Sequence, residues 1–206
     1  MADSTSLVRL ANALLAVHRE SVTADSARAP DPRDSVRRMA PLALELGAAL
    51  HGSLRRFAEL SAELGDSRLA ECLLDLPSRL ANAGELESAL AVALSFEFIA
   101  KDKLRGDRAV ALAQAGRRDE AVALVTANLQ RAEDIPLAEA KAGDAYRALG
   151  EDDAAEAYYR RSLSEAKTPF ERSEAVLRIV SLLSDAGRLQ EATQFLAEER
   201  RRAGKP

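Results

Sequence analysis

Four short stretches of this chain are built on one frame: GELESA from Gly84, GRRDEA from Gly116, GEDDAA from Gly150 and GRLQEA from Gly187. In each, an alanine follows the glycine five positions later, at Ala89, Ala121, Ala155 and Ala192, and the glycines stand 32, 34 and 37 residues apart. An apolar helical pattern precedes every glycine (LPSRLANAG, AVALAQAG, AYRALG, IVSLLSDAG), and another follows it (ALAVALSF, AVALVTANL, AAEAYYRRSL, EATQFLAEE). Self-similarity at this period marks stacked units, none of which can bury its apolar face alone. A glycine in the left-handed conformation ends one helix, and the next begins within a few residues, so each unit folds back as an antiparallel hairpin. The alanine then falls where two backbones approach, and a larger side chain would part them.

Composition agrees with an all-α chain. Of 206 residues, 47% are apolar but only 4% aromatic, with no tryptophan, and 30% are charged. Ala and Leu supply most of the apolar content, which favours helices with thin interfaces. No run of Val, Ile or Thr alternates as a strand would. A net charge of -4 speaks against general nucleic-acid binding, which needs a clustered basic face. The one basic cluster, Arg200, Arg201 and Arg202, closes the last helical pattern, where cations complement the helix dipole. Cys72 is the only cysteine, so an intramolecular disulfide or a multi-cysteine metal site is excluded. The first twenty residues lack a basic start and are interrupted by Arg9, Asn12 and His18, reading as an amphipathic helix and not as a signal peptide. No stretch approaches the roughly 18 apolar residues of a membrane span. A cytoplasmic protein is the expectation.

The period and the slots within it resemble the tetratricopeptide repeat family. In the unit from Pro136 to Lys167, Gly143, Tyr146, Gly150, Ala155 and Tyr159 match that family's small, aromatic, turn, small and aromatic positions, with Ser162 where alanine is usual. The unit from Asp102 to Glu133 offers Ala109, Leu112, Gly116, Ala121 and Val125, but Arg105 and Arg108 fall in slots that are usually apolar. The last unit keeps Leu183, Gly187, Ala192 and Leu196; the first keeps Leu80, Gly84 and Ala89 and carries Pro77 in its first helix. The resemblance covers about residues 68 to 203 and implies a right-handed superhelical solenoid of antiparallel helix hairpins, four of them within 65–203, followed by a tail at 204–206.

Residues 1–64 do not share the frame. Helical spacing of Met39, Leu42, Leu46 and Leu50, and of Leu54, Phe57, Leu60 and Leu64, places helices near 5–20, 36–50 and 53–64. The stretch at 21–35, rich in Ser, Ala, Asp and Pro, reads as a loop. These helices are either degenerate repeats or N-terminal capping helices over the first unit.

The chain offers few residues in catalytic or metal-binding patterns. Glu151, Asp152 and Asp153 stand in a row, yet they fall at a turn and a helix start, where acids complement the dipole. The same slot one unit earlier holds Arg117, Arg118 and Asp119, so it is not a ligand set. His18 and His51 have no metal or catalytic spacing, and no phosphate loop or GxSxG occurs. The Arg105-Gly106-Asp107 tripeptide lies within a repeat helix and reads as accidental. Tyr159 matches a packing slot, and Tyr158 is expected to be the more exposed of the two. No catalytic residue, metal or cofactor is assigned.

The family's best-known site clamps a peptide's terminal carboxylate with Lys and Asn, then Lys and Arg, on first helices of successive units. The matching positions are Leu74 and Ser78, Gly106 and Val110, Ala140 and Asp144, Leu177 and Ser181, and none carries the required cation or amide. The inner-face candidates for another partner are Asn82, Lys103, Gln114, Asp144, Arg147, Ser181 and Asp185. The leading expectation is therefore a non-catalytic scaffold binding a peptide or helix of a protein partner on a concave face. The alternative is a ligand-responsive regulator with the N-terminal helices as output and residues 21–35 as hinge. Tight packing of residues 36–64 on the first unit would argue against it. An uncapped last hairpin, with Leu189, Phe195 and Leu196 exposed, would favour a homodimer.

Overall fold

A computed structural model describes residues 4–23 and 31–203. Among these the chain forms eleven helices and no strand: α1 (Ser4–Thr23), α2 (Pro32–Leu50), α3 (Leu54–Leu64), α4 (Arg68–Asn82), α5 (Leu86–Phe96), α6 (Lys101–Gln114), α7 (Arg118–Arg131), α8 (Ile135–Ala148), α9 (Asp152–Glu165), α10 (Pro169–Asp185) and α11 (Leu189–Ala203). None of them is long and apolar enough to cross a membrane. The chain is an all-α helical repeat solenoid.

The turn mechanism is the one the frame predicts. Gly84, Gly116, Gly150 and Gly187 have φ of 83°, 72°, 77° and 74°. At Gly150 the glycine N–H donates to Arg147 O and the Glu151 N–H to Tyr146 O, both at 2.9 Å, closing the end of α8 with a Schellman motif. The same pair of bonds recurs at the other three glycines. Each frame alanine is buried. Backbones also approach closely at Gly143, where an added Cβ would stand 2.4 Å from the Tyr159 ring.

Helix starts follow from local chemistry. Thr168 and Glu171 form a capping box ahead of α10, with Pro169 at its first position. Asp134 accepts the Leu137 N–H at 3.0 Å to open α8. Arg105 and Arg108, placed where apolar residues are usual, both donate to Glu97, at 2.6 and 2.8 Å. Their charges are thus met at the junction between α5 and α6. Pro77 lies buried inside α4 without ending it.

Helices α4, α6, α8 and α10 pack in sequence against one another as one layer, while α5, α7, α9 and α11 form the outer layer. Because the first helices of successive units touch and the second helices splay, the first-helix layer is the inner side. Helices α1 to α3 share one continuous core with α4 and α5, built on Leu14, Leu15, Met39, Leu46 and Leu50 against Leu73, Leu80 and Phe96. Of the loop expected at 21–35, residues 21–23 belong to α1 and 32–35 to α2. Residues 24–30, and the tail at 204–206, lie outside the described residues.

Candidate functional site

The inner layer carries a line of opposed charges. Asp75, Asp107, Lys141 and Arg178 each stand nine residues before the turn glycine of their unit, so stacking sets them side by side. Lys141 Nζ lies 2.6 Å from Asp107 Oδ1 and 3.6 Å from Asp144 Oδ2. Lys103 Nζ, one turn before Asp107, lies 3.0 Å from Asp107 Oδ2 and 3.7 Å from Asp75, and donates to the Leu74 carbonyl at 2.6 Å. Asp144 Oδ1 accepts from Tyr159 OH at 2.9 Å and from Arg178 Nε at 3.2 Å. Arg178 Nη1 also donates to Glu174 at 2.9 Å. Arg147 pairs with Asp185 and donates to Ser181 Oγ at 3.3 Å.

Burial and charge act against each other here. Burial alone would lower the Lys141 pKa, but Asp107 and Asp144 outweigh it and hold it above the usual lysine value. Arg178 is raised in the same way by Asp144 and Glu174 against its burial. For Tyr159, burial and the neighbouring Asp144 charge both push the hydroxyl up. Asp107 is only 2% exposed and faces two ammonium groups. Its contact with Lys141 is a close ion pair. Each of these cations is paired with a carboxylate of the same layer.

Asp107 and Lys141 of this line also face a groove of about 530 Å³ that crosses α4, α6 and α8, with Ser78, Asn82, Val110, Gln114, Asp144 and Arg147 on its walls. Asn82 and Gln114 occupy the same register, two residues before the turn glycine, and both amides are exposed. Neither forms a hydrogen bond among the described residues. A primary amide offers both a donor and an acceptor, which suits an extended backbone.

Four of the seven inner-face residues named from sequence, Asn82, Gln114, Asp144 and Arg147, line this groove. Lys103 lies in the charge line on the far side of Asp107, and Ser181 and Asp185 reach the groove only through Arg147. Sequence reasoning missed Asp107, Lys141 and Arg178. The signal that could have found them is the charged residue recurring nine positions before every turn glycine.

The three acids after Gly150 do not converge. Glu151 pairs with Arg118 of the preceding unit at 2.7 Å, while Asp152 and Asp153 are exposed in the first turn of α9. The slot that holds either charge in different units therefore links neighbouring units. Among the described residues no group of three His, Cys, Asp or Glu side chains is placed to hold a metal ion. Asp107 of the Arg-Gly-Asp tripeptide is buried inside α6. Tyr159 is fully buried and Tyr158 half-buried, stacked on Tyr146 with ring centroids 5.1 Å apart.

Comparison with curated proteins finds no match. A family profile described as Tetratrico peptide repeat matches residues 52–138 and again 136–205, taking in α3 as well as α4 to α11. Repeats of this kind generally mediate protein–protein interaction. With about three quarters of its length matched, the chain belongs to the tetratricopeptide repeat family.

Proposed function

We propose that this chain is a non-catalytic interaction module that holds a peptide or helix of a protein partner along its inner layer. The observation that carries the reading is the groove across α4, α6 and α8, where Asn82 and Gln114 present amides unpaired among the described residues while the neighbouring charges neutralise one another. A surface of fixed, already paired charges and free amides suits main-chain recognition. It does not supply the poised acid, base or nucleophile that catalysis would need. In this reading α1 to α3 close the first face of the solenoid.

The regulator alternative draws no support from α2. Its Met39, Leu46 and Leu50 are sealed into the core shared with α4 and α5, which is the packing expected to disfavour a mobile output element. The reading needs no second copy. Leu189 is exposed, but Phe195 is half-buried against the last core with Arg160 over its ring.

The test places a photo-crosslinking residue at Gln114, and in a separate variant at exposed Thr126 on the outer helix α7. A partner crosslinked from position 114 and not from 126 supports the reading. Equal labelling from both positions, or none from 114, overturns it.

A further inference from the structure

We propose that the segment this module holds is basic and carries an apolar anchor, which docks between α8 and α10. This rests on the inner-layer reading above and adds the chemistry of the partner. Phe170, in the first turn of α10, is 74% exposed. It lines a groove of about 560 Å³ together with Pro136, Leu137 and Ala140 at the start of α8. Glu174 and Leu177 continue the same stripe of α10 at helical spacing, and Leu177 is 62% exposed.

Leu177 stands ten residues before its turn glycine, as Gly106 and Ala140 do in their units. Those two are buried. At Gly106 the covering atom is visible, since an added Cβ would lie 2.4 Å from Lys141 Cβ on the next inner helix. At Leu177 no described inner helix supplies such a cover, and with Phe170 it leaves the apolar stripe of α10 exposed.

The charges around this groove are sorted by depth. Asp75, Asp134, Glu171 and Glu174 line it, as do Lys103, Lys141 and Arg178. Four carboxylates thus meet three cations on its walls. The cations are recessed, with Lys141 only 12% exposed, whereas Asp75 is 58% exposed. An incoming chain meets carboxylates at the rim and an aromatic ring on the wall. Lys or Arg side chains complement that rim, and one aromatic or branched aliphatic side chain fills the space between Phe170 and Leu137. Phosphate backbones and acidic peptides are repelled.

The experiment pans the full chain against a displayed library of random peptides, in parallel with Phe170→Asp and with the double variant Asp134→Lys/Glu174→Lys. All three proteins are first checked for native helicity by circular dichroism. The proposal holds if wild type enriches net-positive peptides with one large apolar residue. Both variants must lose at least tenfold in affinity for a synthesised winner, and binding must weaken as salt rises. Enrichment of neutral or acidic peptides overturns it while leaving the module reading intact, as does retention of the winners by both variants. No enrichment at all overturns both. Salt-sensitive self-association of wild type that Phe170→Asp abolishes would assign the groove to Arg200, Arg201 and Arg202 of a second copy, and also overturns it.

Discussion

Lys141 and Asp107 meet across two repeat units, Nζ to Oδ1 at 2.6 Å, with both side chains almost wholly buried. The approach is possible because the residue before Asp107 is Gly106, whose missing Cβ leaves room for the Lys141 stem. Taking two charges out of water costs several kcal/mol per ion, and their attraction offsets this only while both partners are present.

Asp107→Ala should therefore destabilise the fold by about 3–5 kcal/mol, because Lys141 and Lys103 lose the carboxylate they share. The double change Asp107→Leu/Lys141→Met should cost much less. Urea midpoints at neutral pH measure both, and equal losses would mean the pair is not acting as a unit. The Lys141 contribution also has a pH signature. Its folded-state pKa is raised above the ordinary value of 10.5. The stabilisation is complete below that pH and is lost as pH rises through the raised value.

Gly143→Ala tests the closeness of α8 and α9. The new Cβ would sit 2.4 Å from Tyr159 Cε1. Tyr159 is fully buried and tied to Asp144, so it cannot swing away. Overpacking of this kind costs about 1–3 kcal/mol. Tyr159→Phe, which removes only the hydroxyl, should cost about 1 kcal/mol. Thermal melts that rank Gly143→Ala as the milder change would count against the packing account.

His18 makes the docking of α1 on α4 sensitive to acid. Its pKa is lowered, first by burial and then by Arg79, whose Nη1 stands 3.2 Å from His18 Nδ1; Arg68 adds to this, while Glu71 and Asp75 oppose it. A histidine with a depressed folded-state pKa stabilises the fold above its unfolded value of 6.5, and that stability is lost as pH falls through the folded-state value. Melting temperature should drop between pH 7.5 and pH 5 in the wild type. The drop should be smaller in His18→Gln, and an identical slope in both proteins would remove His18 as its source.

Cys72 should be inert in the native protein. Burial pushes its thiol up to about 12, and the side chain is sealed in the core with α4. Since the thiolate is the reactive form, a disulfide reagent at pH 8 should label it fully in urea. Without denaturant, labelling should be at least a hundredfold slower. Fast native labelling would show that α4 opens.

The hairpins were readable because their signals are local. A glycine that must adopt positive φ, an alanine five residues on, and the pair Gly143 and Tyr159 all report constraints within one or two turns of chain. The inner-face candidates were readable only in part. Asn82 and Gln114 follow from helical register, but Lys103 and Asp144 have their charges taken up by Asp107, Lys141, Tyr159 and Arg178. The Arg-Gly-Asp tripeptide reads as a chance feature of a helix, and that gives no hint that Asp107 is a buried acid of the layer.

The sequence by itself determined the repeat, the helix ends and the thin alanine-lined interfaces, since each rests on backbone geometry and side-chain size at fixed spacing. Only the tertiary structure decided which charges meet, how α2 seals onto α4 and α5, and where α10 leaves Phe170 and Leu177 uncovered. The physical reason is the range of the interactions. Turn and capping preferences act over a few residues, whereas the partner of Asp107 comes from the next unit and is chosen only when the helices stack.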